Sequence, residues 1–226
     1  QFQNVATPLR SFQSMSAEVG ISKLRKSLGA VEYEKSYTWS LDAYSYYANG
    51  NLYPSLISGQ DIGWLLPGIR NTSFWIRNSL GQALGNKGSA FSSFYFGGFR
   101  NNYVDWQQAA QYRKAFAFPG VDIDALPARN FVKTMGELNL KPIRLRRVGT
   151  TWLYPTYIKA SPFATHLMLN PTGEVRHVFN AGMQVDIELV LFSYLKTTWS
   201  AGYARKMEKP HGPGDQWMFS VKLLGN

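Results

Sequence analysis

Few side chains of this 226-residue chain are spaced for bond-making chemistry. Asp186 and Glu188 stand two apart, and Glu18 and Asp42 lie in similar alternating runs. Paired carboxylates share acid–base work only when their separation suits the reaction, and sequence spacing does not fix that separation. The simpler reading is wall-lining charge balanced by neighbouring Lys and Arg. His166, His177 and His211 form no ligand cluster: the first two flank a turn at 170–173, and the third sits in a Pro/Gly-rich turn. There is no Cys, which excludes a disulfide framework, thiolate metal sites and a Cys nucleophile. No Ser occupies a Gly-x-Ser-x-Gly elbow, so a serine hydrolase has little support. Gly97-Gly98 and Gly85-x-x-Gly88 lack the strand–loop–helix setting of a phosphate cradle. The chain is expected to be no enzyme, with no cofactor and no metal.

The net charge of +10 is the other chemical signal. Arg144, Arg146 and Arg147 cluster with Lys141, and Lys23 and Arg25 with Lys26. Basic clusters interleaved with aromatics can bind single-stranded nucleic acid. No recognition motif accompanies these, however, and nucleic acid is not an expected partner. Both clusters fall at the ends of strand-like segments, where Lys and Arg would meet anionic headgroups.

The elements that must position these residues have a period of two. From Val175 to Leu191 the odd positions read Val, His, Phe, Ala, Met, Val, Ile, Leu, Leu, and the even ones Arg, Val, Asn, Gly, Gln, Asp, Glu, Val. Successive strand residues point to opposite faces, so one face is apolar and the other polar. The same alternation runs through Met15, Ala17, Val19 and Ile21, through Tyr37, Trp39, Leu41 and Ala43, and through Leu195, Thr197, Trp199, Ala201 and Tyr203. About ten strands are expected, near residues 12–24, 35–47, 52–66, 72–85, 91–103, 130–141, 150–169, 174–191, 194–207 and 216–224. Turn chemistry separates most of them, as at Asn49-Gly50-Asn51, Pro67-Gly68 and Asn170-Pro171-Thr172-Gly173. The long connector over 104–129 is the exception.

Composition narrows the solvent. Hydrophobic residues make up 45% and aromatics 15% of the chain, which excludes intrinsic disorder. Charged residues, at 17%, fall below the roughly 25% of soluble domains. No window approaches the roughly 18 apolar residues of a membrane-crossing helix. Gln1-Phe2-Gln3-Asn4 lacks the regions of a signal peptide, so a cytosolic β protein and a mature exported chain both remain open. A β-sandwich also alternates. Three features favour an antiparallel up-and-down transmembrane β-barrel instead. The strands match or exceed the nine to eleven or so residues a membrane strand needs. Their polar face is rich in Ser, Thr, Asn, Gln and Gly, as a wet lumen requires. Aromatics crowd strand ends, where amphipathic rings form interfacial girdles. The expected lipid-facing residues are Phe179, Met183, Val185, Ile187 and Leu189, and the expected interfacial aromatics are Trp64, Trp106, Trp152, Tyr154, Tyr194 and Trp217. Arg at 185 or 187 is then expected to block membrane assembly, and Arg at 184 to be tolerated. The different-class alternative is a soluble sandwich that binds carbohydrate on exposed aromatics.

The C-terminal part, about residues 91–226, resembles a known family. Phe94-Tyr95-Phe96-Gly97-Gly98-Phe99-Arg100-Asn101-Asn102-Tyr103 is similar to the Gly-Gly…Arg-Gly-Tyr/Phe stretch that opens the inward-folded loop of Omp85-superfamily outer-membrane barrels. Arg129 to Pro142, with Glu137-Leu138, resembles that family's following strand and its periplasmic turn. The closest resemblance is to bacterial surface-antigen barrels and barrels that follow a soluble β-propeller. It implies a bacterial outer-membrane location, outer-membrane lipid as surroundings and other outer-membrane or periplasmic subunits as partners. It also implies a structural, pore-forming or polypeptide-assembly role. About ten strands then form a small barrel alone or the C-terminal part of a sixteen-stranded one. The resemblance further implies a lock in the lumen, with Arg100 meeting Glu137 and holding residues 104–129 as a plug.

Overall fold

The computed structural model describes residues 12–48, 50–86, 89–145, 148–208 and 212–224. His211, Arg146 and Arg147 lie outside the described residues. The chain is all-β, with 65% of it in strands. The strands are β1 (Phe12–Arg25), β2 (Lys35–Ala48), β3 (Asn51–Leu65), β4 (Ser73–Ala83), β5 (Phe94–Phe96), β6 (Val104–Asp105) and β7 (Leu126–Ala128). They continue as β8 (Asn130–Asn139), β9 (Ile143–Arg144), β10 (Leu153–Leu169), β11 (Arg176–Leu191), β12 (Leu195–Met207) and β13 (Gly214–Leu224).

One large sheet carries the fold, in the order β1-β2-β3-β4-β8-β10-β11-β12-β13. Each of these long strands pairs antiparallel with the next. The edges are β1 and β13, which run in the same direction; two residues of β6 pair parallel with β13. Among the described residues the sheet does not close into a barrel. The hairpin turns follow local chemistry, with Gly50 and Asn170 at positive φ. At the β11–β12 turn the positive-φ residues are Phe192 and Ser193, where neither Gly nor Asn was available.

The two faces of this sheet invert the usual rule for a soluble domain. The apolar face is the exposed one: Val19 is 63% exposed, Leu80 49%, Met183 46% and Phe219 52%. The polar face is buried over the later strands, with Gln184, Ser200, Ser220 and Lys222 at 0%, while it is half-buried along much of β2 and open on β1. What covers it is the chain's own excursion between β4 and β8, residues 84–129. Phe94, Phe96, Phe118, Leu126 and Ala128 of that segment form a core with Phe131, Leu167, Leu169 and Val178 of the sheet. A second cluster joins Phe99 and Tyr112 to Met135, Phe163 and Ala204.

This arrangement corrects two expectations. Residues 91–103 are not a wall strand: only Phe94–Phe96 is extended, paired with β7 in a two-stranded sheet. The backbone leaves the extended region at Gly97, Gly98 and Arg100, with φ of 152°, 69° and 58°. The inserted segment accordingly begins at residue 84 and not at 104. Gly97 is required there, since a Cβ would lie 1.9 Å from the Asp122 carbonyl oxygen. Gly97→Ala is expected to cost about 1–3 kcal/mol from backbone strain alone. The midpoint of urea unfolding, followed by near-ultraviolet circular dichroism of the buried aromatics, measures it; an unchanged midpoint would contradict the packing described.

Candidate functional site

The excursion is fastened to the polar face by a buried charge network centred on Glu137. The alternation of β8 puts Phe131, Lys133, Met135, Glu137 and Asn139 on the polar face, all buried. Glu137 is 0% exposed and accepts hydrogen bonds from three side chains. Arg113, in a single 3-10 turn of the excursion (Gln111–Arg113), donates from Nε at 3.0 Å to Oε1 and 3.1 Å to Oε2, and from Nη2 to Oε1. Arg77 on β4 donates from Nε to Oε2 at 2.9 Å. The Tyr112 hydroxyl donates to Oε1 at 3.0 Å. Burial pushes the Tyr112 phenol up, which keeps that proton in place.

The network extends outward in balanced charge. Arg77 also pairs with Asp61 of β3 at 2.5 Å, and its guanidinium lies 4.4 Å from the centre of the Trp75 ring. Arg113 reaches Glu32 at 2.9 Å, and Lys159 of β10 reaches the same carboxylate at 2.6 Å. Three cations thus meet three carboxylates, the compensation that buried charges need. A cavity of about 420 Å³ opens beside them, lined in part by Glu32, Asp61, Arg77, Arg113, Lys159 and Asp186. Other polar-face side chains bind the excursion's backbone directly. Lys133 Nζ donates to the carbonyls of Lys114 and Ala117, Asn180 to Pro119, Gln184 to Ala109, and Lys222 to Asn102. The chemistry of the whole arrangement is that of a clamp.

Glu32 gives the clamp a pH dependence. Its side chain is 37% exposed at the rim. Crowding by protein opposes its charge, but Arg113 and then Lys159 outweigh that and hold its carboxyl below the usual carboxylate range. A carboxyl held low in the folded chain stabilises it fully above the ordinary value, and that stabilisation is lost as pH falls toward the folded value. The near-ultraviolet signal of Tyr112, stacked on Phe163, is therefore expected to weaken as pH drops below about 4. Glu32→Gln should flatten that dependence. Identical acid profiles for the two proteins would remove Glu32 from the clamp.

Glu137 points where its alternation placed it, but its partner is not Arg100. Arg100 pairs with Asp124, and also donates to the carbonyls of Tyr95 and Phe116. The positive φ at Arg100 turns it back into its own segment, so it braces the excursion internally while Arg113 crosses to the sheet. Arg113, Tyr112, Arg77, Lys159 and Glu32 were not singled out by sequence. Arg77 and Lys159 are isolated charges among uncharged polar-face residues, a signal that only the strand register turns into a cluster.

Phe179 and Met183 lie exposed on the apolar face, and Val185, Ile187 and Leu189 share it, partly shielded by flanking side chains. Trp64, Trp106, Trp152, Tyr154, Tyr194 and Trp217 are all exposed. The first five gather at the sheet end where β1 finishes, and Trp217 lies at the opposite end, near the start of β13. Gln184 is buried against Ala109, so Arg there would displace the excursion, contrary to the tolerance expected from sequence. His166 and His177 meet on the exposed face, ring nitrogens 3.0 Å apart, while Asp186 accepts from Gln184 and Ser200 and Glu188 from Thr156. Among the described residues there is no cluster of three metal-binding side chains and no helix long and apolar enough to cross a membrane. No protein-family model matches the chain, and comparison with curated proteins and with solved structures gives no match.

Proposed function

We propose that the large sheet is part of the wall of an outer-membrane β-barrel, with residues 84–129 lying inside it as a plug. The observation that carries this reading is the inversion of faces: long strands expose their apolar side and bury their polar side. Water offers no reason for that arrangement, whereas hydrocarbon outside and a polar interior require it. A sandwich would bury the apolar face against a second sheet. The only second sheet among the described residues is the short β5–β7 pair, and it belongs to the excursion on the polar side.

With the polar face covered over β8 to β13, the sheet suits a structural or polypeptide-assembly role in an outer-membrane complex better than a permanently open pore. The Omp85-like resemblance supports the same choice, since Gly97-Gly98-Phe99-Arg100 lies within the folded-in segment. No enzymatic step is part of this reading, and the expected surroundings are outer-membrane lipid and other protein subunits. Co-flotation with neutral phosphatidylcholine vesicles tests it. Protein that stays with the vesicles through high-salt and alkaline washes is expected. A chain that remains monodisperse in buffer without detergent or lipid would overturn the reading.

A further inference from the structure

At the end of the sheet where β1 finishes, three cations gather on the apolar face. Arg25 lies directly opposite Lys35, and Lys23 lies opposite Tyr37. Like charges set directly across a strand pair destabilise it, so this arrangement calls for an anion. None of the three forms an ion pair among the described residues. Three other basic residues at this end are engaged: Arg144 donates to the Gly29 carbonyl, Lys26 to that of Val31, and Lys222 pairs with Asp105.

The cations border a groove of about 290 Å³ that also includes Tyr37, Ile62 and Trp64. Tyr37 pairs across to Ile62, and Trp64 stacks on Phe74 with ring centres 6.5 Å apart. Two residues further along β1 the same face becomes apolar, with Ile21 beside Trp39 and then Val19 beside Leu41. At about 3.4 Å per residue, that places hydrocarbon-facing surface roughly 7 Å from the cations. Positive charge, then an amphipathic aromatic, then an apolar stripe is the profile of one amphiphile standing against the wall.

We propose that Lys23, Arg25 and Lys35, with Tyr37 and Trp64, form a site for the phosphate headgroup of an anionic phospholipid, whose acyl chain lies along Ile21 and Val19. The proposal rests on the membrane reading above. Each Lys or Arg near an anionic surface strengthens binding about fivefold at moderate salt, so three together give a preference on the order of a hundredfold over a neutral lipid.

Trp64 is a reporter within the site. The full chain is reconstituted in phosphatidylcholine vesicles containing a minor fraction of brominated phosphatidylglycerol or of brominated phosphatidylcholine. The Trp64 contribution to quenching is isolated by difference from Trp64→Phe. Stronger quenching by the anionic lipid is expected, lost in the triple variant Lys23→Gln, Arg25→Gln, Lys35→Gln and diminished by high salt. A Lys196→Gln control should keep the preference. Equal quenching of Trp64 by both lipids would refute the headgroup site and leave the membrane reading standing. No quenching of any tryptophan by either lipid would overturn both.

Discussion

Ile187→Arg is expected to abolish stable insertion into lipid vesicles, and Val185→Arg to do the same. Both residues sit midway along β11 on the apolar face, between Met183 and Leu189. Arg at the bilayer midplane costs about 2–4 kcal/mol on a barrel's lipid face, and it is attached to a strand whose neighbours offer it no carboxylate. Their cross-strand neighbours on that face are Ala160 and Ala201 for residue 185, and Ile158 and Trp199 for residue 187. The matched control is Ser16→Arg, on the exposed polar-side face of β1, which should insert as the parent does. Flotation with vesicles and resistance of the inserted strands to protease are the readouts. Insertion of all three variants alike would mean that the exposed apolar face does not meet lipid.

The second large effect is expected at Arg113 and Glu137. Removing one member of a buried ion pair costs about 3–5 kcal/mol where the other is left unpaired, and less where second partners remain, as they do here. Arg113→Ala strips Glu137 of its two-point partner and leaves it Arg77 and Tyr112; Glu137→Ala leaves both arginines facing each other across an empty position. Because the clamp joins the excursion to the sheet, the loss should fall on the excursion first. Protease should cut between residues 107 and 129 in either variant while β8 and β10 stay protected. Arg100→Ala should expose that segment far less, since its partly exposed pair with Asp124 is of the kind that contributes little. Greater loosening in Arg100→Ala than in Arg113→Ala would transfer the clamp back to the residue the Omp85-like resemblance singled out.

The contrast between those arginines marks where sequence was informative. Nine long strands of the sheet were legible because period two persists over ten residues or more, as from Val175 to Leu191, and a one-residue slip would turn every side chain to the wrong face. The same regularity oriented Glu137 correctly. Residues 91–103 misled because Phe94, Tyr95 and Phe96 have strong strand character while the conformations at Gly97, Gly98 and Arg100 break it within three residues. The partner of Glu137 was hidden for a related reason. Arg113 lies in an irregular segment with no period to read, and its approach depends on how the segment between β4 and β8 folds back over a sheet whose register brings together positions 60 residues apart in sequence, as in the Arg77–Glu137 hydrogen bond. Local pattern specifies a face; only the tertiary fold specifies which charge arrives there.

Because β1 and β13 point the same way, the number of wall strands has a consequence through parity. In a ring where every neighbour is antiparallel, directions alternate, so the total must be even. Nine consecutive alternating strands cannot satisfy that condition by joining their own ends. Copies of this sheet inserted with a common orientation cannot satisfy it either, since each junction between β13 of one and β1 of the next would be parallel. A wholly antiparallel ring that includes this sheet must therefore take an odd number of strands between β13 and β1. A single strand suffices in principle, and it would have to run opposite to both edges.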